Sequence, residues 1–352
     1  MAKSPELNEL ISIVRTEKGS DLHLTEGRKP VIRVFGSLIP LANKPELTRS
    51  DLHAFIESLL SPEQKEIFLR DREVDFGVEE DGARLRGHAF FQRGRIGIAL
   101  RFISKDIRTL EELNIPPILG KFTEQQQGFF LVVGPTGHGK STTLAALIDS
   151  INQTRLEHIV TIEDPIEYIF TPKKSIIDQR EVRTDAKDFE TALTGVFRQD
   201  VDVLMVGEMR DPITMATAVT AAETGHLVFS TLHTNNASQT IERIIDSFEA
   251  SQQNQIRLQL ANTLSGIFSQ RLIPRIGGGL IPAYELLINN NAVANLIRDN
   301  RVYEIETVIE TSADQGMVTL NRSLAHLVQT KEIDLASAYT FSTNPKTLEK
   351  LL

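Results

Sequence analysis

The chain has 352 residues, more than one hydrophobic core usually serves, so two domains are the starting expectation. Its hydrophobic content of 41% and charged content of 24% are those of an ordinary globular protein, which excludes a disordered or low-complexity chain. A net charge of −9 opposes non-specific attraction to nucleic acid, the lack of cysteine excludes disulfides and thiolate zinc sites, and no apolar run approaches bilayer-spanning length.

Met1 to Pro5 opens nothing like a signal peptide, and the missing cysteines are compatible with the cytosol. Helical spacing follows over residues 7–15 and again over 51–60. Between them and after them, residues 31–35, 74–78, 84–91 and 96–102 alternate apolar and polar positions, with breaks at Gly36, Asp81-Gly82 and Gly94. That pattern predicts antiparallel strands, and residues 1–103 a small α+β domain. In residues 104–119 the apolar pattern weakens and Asn114-Ile-Pro-Pro117 breaks any helix begun at Leu110, so the interdomain linker is expected there.

From residue 120 the texture becomes that of an α/β domain, short apolar runs alternating with helical periods. Four runs, 129–133, 158–162, 201–206 and 227–231, lead into Gly134, Glu163-Asp164, Gly207-Glu208 and Leu232-His233. Ligands of open α/β sheets gather at the carboxyl ends of strands, so four polar ends on one edge predict one site. Leu144, Leu147, Ile148 and Ile151 repeat at helical spacing after the first run, and Phe189, Ala192, Leu193, Val196 and Phe197 before the third. Asp211-Pro212 reads as a helix cap followed by the first helical residue. The C-terminal part, from about residue 285, is expected to be helical.

Gly134-Pro-Thr-Gly-His-Gly-Lys-Ser141 fits the P-loop pattern in its required place between strand and helix. Gly137 and Gly139 would let the backbone wrap a phosphate, with the helix N-terminus adding its dipole. Pro135, Thr136, His138 and Thr142 complete the expected ATP-binding segment. Lys140 would reach the β and γ phosphates, and the Ser141 hydroxyl would ligate Mg2+. A glycine-rich turn with an incidental lysine is the competing reading, which the context disfavours. Val203 to Glu208 is an apolar strand ending in a carboxylate able to hold magnesium directly or through water. Glu163 is the carboxylate nearest the end of the second run and could orient or deprotonate a water, although Asp164-Pro165 could equally make a capped, solvated turn. His226 and His233 flank the fourth run, where an imidazole could meet the γ-phosphate; lone histidines are otherwise commonly structural, and two without a third ligand fall short of a zinc site. Arg84, Arg86, Arg93, Arg95 and Arg101 crowd the last strands of the first domain, either as a solvated edge or as a source of an arginine finger.

With these residues in view the chain resembles the PilT family of pilus retraction ATPases, within the secretion ATPase superfamily, nearly end to end. Gly19-Ser-Asp-Leu-His-Leu24 and Arg84-Leu-Arg-Gly-His-Ala-Phe-Phe-Gln92 look like that family's N-terminal signatures. Residues 134–143, 161–167, 206–211 and 220–234 match its Walker A, Asp-box, Walker B and His-box segments, and Gln179-Arg-Glu-Val182 and Ser269-Gln-Arg-Leu272 agree further. The resemblance implies a PAS-like N-terminal domain joined to a RecA-like core in a homo-hexamer, with Glu163 as general base, Glu208 acting through magnesium and His226 and His233 as His-box residues. Arg86, Arg101 and Arg84 would be contributed to the nucleotide pocket. It also implies a cytoplasmic location at the inner face of the membrane, a membrane platform protein as partner and room for a paralogous retraction ATPase. Departures are His138 for a usual serine, His88 for asparagine, Phe170 for histidine, and Ala294 within Ala292-Val-Ala-Asn-Leu-Ile-Arg298, where the family has a charged residue.

Retraction is favoured over extension or type II secretion because those relatives usually carry a longer N-terminal region and a four-cysteine zinc module. An accessory, PilU-like role stays open, since intact Lys140, Glu163 and Glu208 do not exclude dependence on a partner ring. A DNA translocase is disfavoured by the acidic balance.

Overall fold

The computed structural model describes residues 4–34, 37–80, 83–103 and 106–352. The expected strand end at Phe35, the turns at Gly36 and Asp81-Gly82, and the first two linker positions lie outside them. Two compact units divide the chain, residues 1–105 and 106–352.

In the first unit the elements run α1 (Pro5–Thr16), β1 (Asp21–Thr25), β2 (Val31–Val34), β3 (Ser37–Pro40), α2 (Arg49–Leu59), α3 (Pro62–Asp71), β4 (Glu73–Glu80), β5 (Ala83–Gln92) and β6 (Arg95–Ile103). Each helix starts where a hydroxyl can take an orphan amide: Ser4 caps α1, while Thr48 with Asp51 and Ser61 with Gln64 form capping boxes on α2 and α3. The sheet is antiparallel, in the order β3-β2-β1-β6-β5-β4. Leu22, Leu24, Leu85, Ala89, Ile98 and Leu100 turn into one core with Leu7, Ile11, Phe55 and Phe68 of the helices. Because strand side chains alternate, Arg84, Arg86 and Arg101 share the other face.

The second unit continues with α4 (Gly120–Thr123), β7 (Gly128–Val133), α5 (Lys140–Thr154), β8 (His158–Glu163), β9 (Ile176–Glu181), α6 (Phe189–Val196), β10 (Val203–Val206), α7 (Pro212–Glu223), β11 (Leu227–Leu232), α8 (Ala237–Asp246) and α9 (Ala250–Thr263). Then come β12 (Leu264–Pro274), β13 (Leu280–Ile288), α10 (Asn291–Arg298), α11 (Ile305–Thr311), α12 (Leu320–Gln329), α13 (Leu335–Phe341) and α14 (Pro345–Glu349). The sheet order is β13-β12-β7-β11-β10-β8-β9, with β13 antiparallel to β12 and the other neighbours parallel. Both faces are covered, which is why β7 reads as an unbroken apolar run: Phe129, Leu131 and Val133 enter one core, Phe130 and Val132 the other. Asp211 caps α7 as its sequence implies, its Oδ1 accepting the Thr214 N–H at 2.8 Å.

Two expectations need correction. From residue 106 the expected linker packs into the second unit: Ile115 and Leu119 are buried in one cluster with Phe122, Phe130 and Val132. Residues 285–288 belong to strand β13, and helix begins only at Asn291, after Asn290 has capped α10. Among the described residues no helix is long and apolar enough to cross a membrane.

Candidate active site

The four apolar runs are β7, β11, β10 and β8, adjacent in the sheet and in parallel register. Val133 stands opposite Leu232, Ser230 opposite Val206, and Val206 opposite Ile162, so the four carboxyl ends lie along one edge. The loop after β7 is forced by its glycines. Gly134 has φ 145°, and a Cβ there would sit 2.3 Å from the Gln270 carbonyl oxygen of β12; Gly137 and Gly139 take φ 80° and 82°. α5 then starts at Lys140 without a side chain capping its first turn, leaving amides free to point at an anion.

Lys140 is buried, and burial lowers its pKa while Glu167 and Glu208 pull it upward. Its Nζ donates to the Pro135 carbonyl at 3.0 Å and lies 3.3 Å from Nδ1 of His233. These neutral contacts under-compensate a buried ammonium, and a phosphate would complete them. His233 Nδ1 also meets the Thr136 hydroxyl at 3.3 Å, and its Nε2 lies 3.3 Å from Oε2 of Glu208. One imidazole therefore joins the P-loop to Glu208, two residues past the end of β10. Glu208 is held from its other side by Arg210.

Glu163 ends β8 beside them. Its side chain is buried, and burial pushes its pKa up to about 7 against hydrogen bonds that favour the anion. The Thr161 hydroxyl donates to Oε1 at 2.7 Å, Gln179 Nε2 at 3.4 Å, and the Glu167 N–H approaches Oε2 at 3.5 Å. Gly207, whose added Cβ would meet Glu163 Cα at 3.3 Å, lets the end of β10 pass close. The result is a carboxylate that can take a proton near neutral pH, in a site where charge is poorly solvated.

Supporting residues come from the P-loop helix and from segments to which the sequence reading assigned no chemical role. Gln270 Nε2 donates to the His138 carbonyl at 2.9 Å and Gln270 Oε1 accepts from Thr143 at 2.7 Å, while the Thr142 and Tyr168 hydroxyls meet at 2.8 Å. Thr161 could have been found, because residues two apart on a strand share a face. Gln179 and Gln270 lie in segments that match the family, but their contacts depend on a strand order that only the fold reveals.

His226 does not join this group within the unit. It precedes β11, so a six-residue strand, about 20 Å, separates it from His233. There its Nδ1 meets the Ala221 carbonyl at 2.9 Å and its ring stands edge-on to Phe197 at 5.7 Å. Arg84, Arg86 and Arg101 lie in the first unit, where Arg86 faces Arg101 in register and Arg101 Nε donates to Asp21 at 2.8 Å.

Residues 98–332 match the family model described as Type II/IV secretion system protein. The chain is 42% identical to the type IV pilus retraction ATPase PilT of Pseudomonas aeruginosa, over 92% of this chain and 94% of that protein. It is 38% identical to the type IV pilus ATPase PilU of the same organism, over 99% and 91%. A crystal structure of the pilus retraction motor PilT with bound ADP superposes with a TM-score of 0.92 at 43% identity, covering 99% of this chain and all of that one. The chain is a PilT-like member of the type II/IV secretion system family. Its PilT-like core is that of an ATP-hydrolysing enzyme, and its smaller N-terminal unit belongs to the same architecture.

Proposed function

We propose that this chain is a motor of type IV pilus retraction, acting as a homo-hexamer on a platform protein at the cytoplasmic face of the inner membrane. The observation that carries the reading is the convergence of Lys140, His233 and Glu208 beside the buried Glu163 on one sheet edge. In this mechanism the P-loop amides and Lys140 bind the β and γ phosphates and take up charge as the terminal P–O bond breaks. Glu163 accepts the proton of the attacking water, leaving ADP and phosphate. His233, touching Lys140, Thr136 and Glu208 together, is the group whose contacts change when the γ-phosphate leaves.

The oxygen donors of Ser141, in the first turn of α5, and Glu208, two residues past β10, suit a hard cation. They would hold Mg2+, Glu208 through water, and the ion would supply charge neutralisation at the phosphates. Arg86 and Arg101, with Arg84, would serve a nucleotide held by another subunit of the ring. The His-box role of His226 is confined, in this reading, to contacts beyond its own subunit's P-loop.

Deleting the gene and scoring pilus length and surface motility tests the direction of force. Hyperpiliated, non-motile cells are expected; bald cells would indicate extension instead. The 38% identity with PilU favours one second reading, an accessory retraction ATPase. It predicts that the purified chain hydrolyses ATP at full rate only when a more typical PilT ring is added.

A further inference from the structure

β7 ends at Val133, opposite Ser269 of β12, and the chain turns away into the P-loop. β12 runs on to Pro274, so beyond Ser269 the loop rather than a strand lies along its edge. The Gln270 carbonyl faces Gly134, and the Leu272 N–H donates to Nδ1 of His138 at 2.9 Å. Leu272, paired in register with Pro282 of β13, directs its N–H to the other edge of β12, toward the loop. The imidazole thus acts as the acceptor that a next strand residue would otherwise be, and Gln270 Nε2 returns a bond to the His138 carbonyl at 2.9 Å. These two bonds fasten the middle of the phosphate loop to β12, one from the side chain of His138 and one from its backbone.

We infer that His138 is a positioning residue for the P-loop, its unprotonated Nδ1 holding the loop against β12, so that nucleotide affinity falls when the imidazole takes a proton. A histidine with both nitrogens protonated is a donor only, and cannot accept the Leu272 N–H. The charged groups facing it are Arg271 of β12 and Lys140 of α5, and Glu285 of β13 acts in turn on Arg271. Burial first, then Arg271 and Lys140, hold the His138 pKa below the usual imidazole value. The neutral clamp is therefore complete at neutral pH and is lost as pH falls through that lowered value. A serine at this position would not titrate, so the acid response depends on the imidazole. The inference rests on the reading of the loop as an ATP site.

The test measures binding of a fluorescent ADP analogue with magnesium to the full chain and to His138→Ser, from about pH 8.5 to about pH 5.5. Taking the ratio of the two dissociation constants cancels the titration of the phosphates. The ratio of wild type to variant should stay constant above about pH 7 and rise at least about threefold by about pH 5.5. Arg271→Gln, by removing one facing cation, should move the acid midpoint upward. Should His138→Ser fail to fold, His138→Asn, whose Oδ1 can take the same N–H without titrating, replaces it. A flat ratio, or a midpoint unmoved in Arg271→Gln, overturns the role of His138 while leaving the ATP site intact. Failure of the wild type to bind the analogue at any pH overturns the ATP site and the inference with it.

Discussion

The Thr161 hydroxyl donates a 2.7 Å hydrogen bond to Oε1 of Glu163, two residues further along β8, in a part of the site where both side chains are buried. A donor to a carboxylate favours its charged form, and here it works against the burial that pushes Glu163 up to about 7. If Glu163 is the base, turnover at saturating ATP should rise with pH through about 7. Thr161→Val should move that rise to higher pH, because the anion loses its closest donor. Glu163→Gln should retain nucleotide but lose roughly 10²–10⁴-fold in kcat. Turnover near the wild-type rate in Glu163→Gln would pass the assignment to Glu208.

The same burial has a consequence for stability in the absence of nucleotide. A carboxyl whose folded pKa lies above its unfolded value stabilises the fold fully only below the unfolded value, near 4.5, and that contribution is lost as pH rises through about 7. Glu163→Gln should therefore raise the unfolding free energy relative to wild type at pH 8, by up to roughly 2–3 kcal/mol, and much less at pH 5. Urea denaturation at the two pH values measures it. Equal effects at both would mean that Glu163 is ionised without penalty.

His233 and His226 should behave differently although both fall in one sequence motif. His233→Ala removes contacts to Thr136, Lys140 and Glu208 and should lower kcat roughly tenfold to hundredfold. His226→Ala removes a bond to the Ala221 carbonyl at the far end of β11 and should leave ADP affinity within about twofold. An equal loss of affinity in both variants would contradict the separation along the strand.

The site was legible in the sequence where chemistry and local structure coincide. Lys140, Glu163, Glu208 and His233 each follow an apolar run, and parallel pairing of those runs brings their ends to one edge. His226 precedes its run and His233 follows it, so within one unit the two histidines of the motif stand at opposite ends of β11. β12 and β13 were not evident because their apolar residues enter cores on both faces, as do Ile267 and Phe268, which erases the alternation that marks a strand. β9 is a polar edge strand whose Gln179 gains its meaning only from lying opposite Thr161. The segment 106–119 reads as a linker by its prolines, yet Ile115 and Leu119 supply enough apolar surface to anchor it.

Two glycines of the P-loop should respond unequally to alanine. Gly137 has no atom within 4 Å of an added Cβ, so Gly137→Ala costs only the backbone strain of φ 80°, about 1 kcal/mol. Gly134→Ala adds a Cβ 2.3 Å from the Gln270 carbonyl oxygen, which is strand backbone and cannot turn aside. It should destabilise the protein by at least about 2 kcal/mol and abolish ADP binding, as the loop is forced off β12. Comparable denaturation midpoints for the two variants would show that β12 yields.

Arg86 and Arg101 stand directly opposite on β5 and β6, and like charges in that relation are destabilising unless something offsets them. Asp21, buried beneath, is the offset: its Oδ1 accepts from Arg101 at 2.8 Å, its Oδ2 accepts from Ser20 at 2.7 Å, and Arg33 lies 3.8 Å away. The pairing assigns different costs to the two arginines. Arg101→Ala withdraws the closest cation from a buried carboxylate and should cost about 1 kcal/mol of stability. Arg86→Ala removes an exposed charge from beside another cation and should leave stability unchanged or slightly higher. If Arg86 nevertheless serves a nucleotide on a neighbouring subunit, the same variant should bind ATP normally and lose at least about tenfold in turnover. Mixing it with excess Lys140→Ala should then restore part of the activity, since each ring gains subunits with an intact Arg86. Wild-type turnover per subunit in Arg86→Ala would leave the arginine row with a structural role alone, whereas a loss that mixing cannot repair would confine Arg86 to its own chain's site.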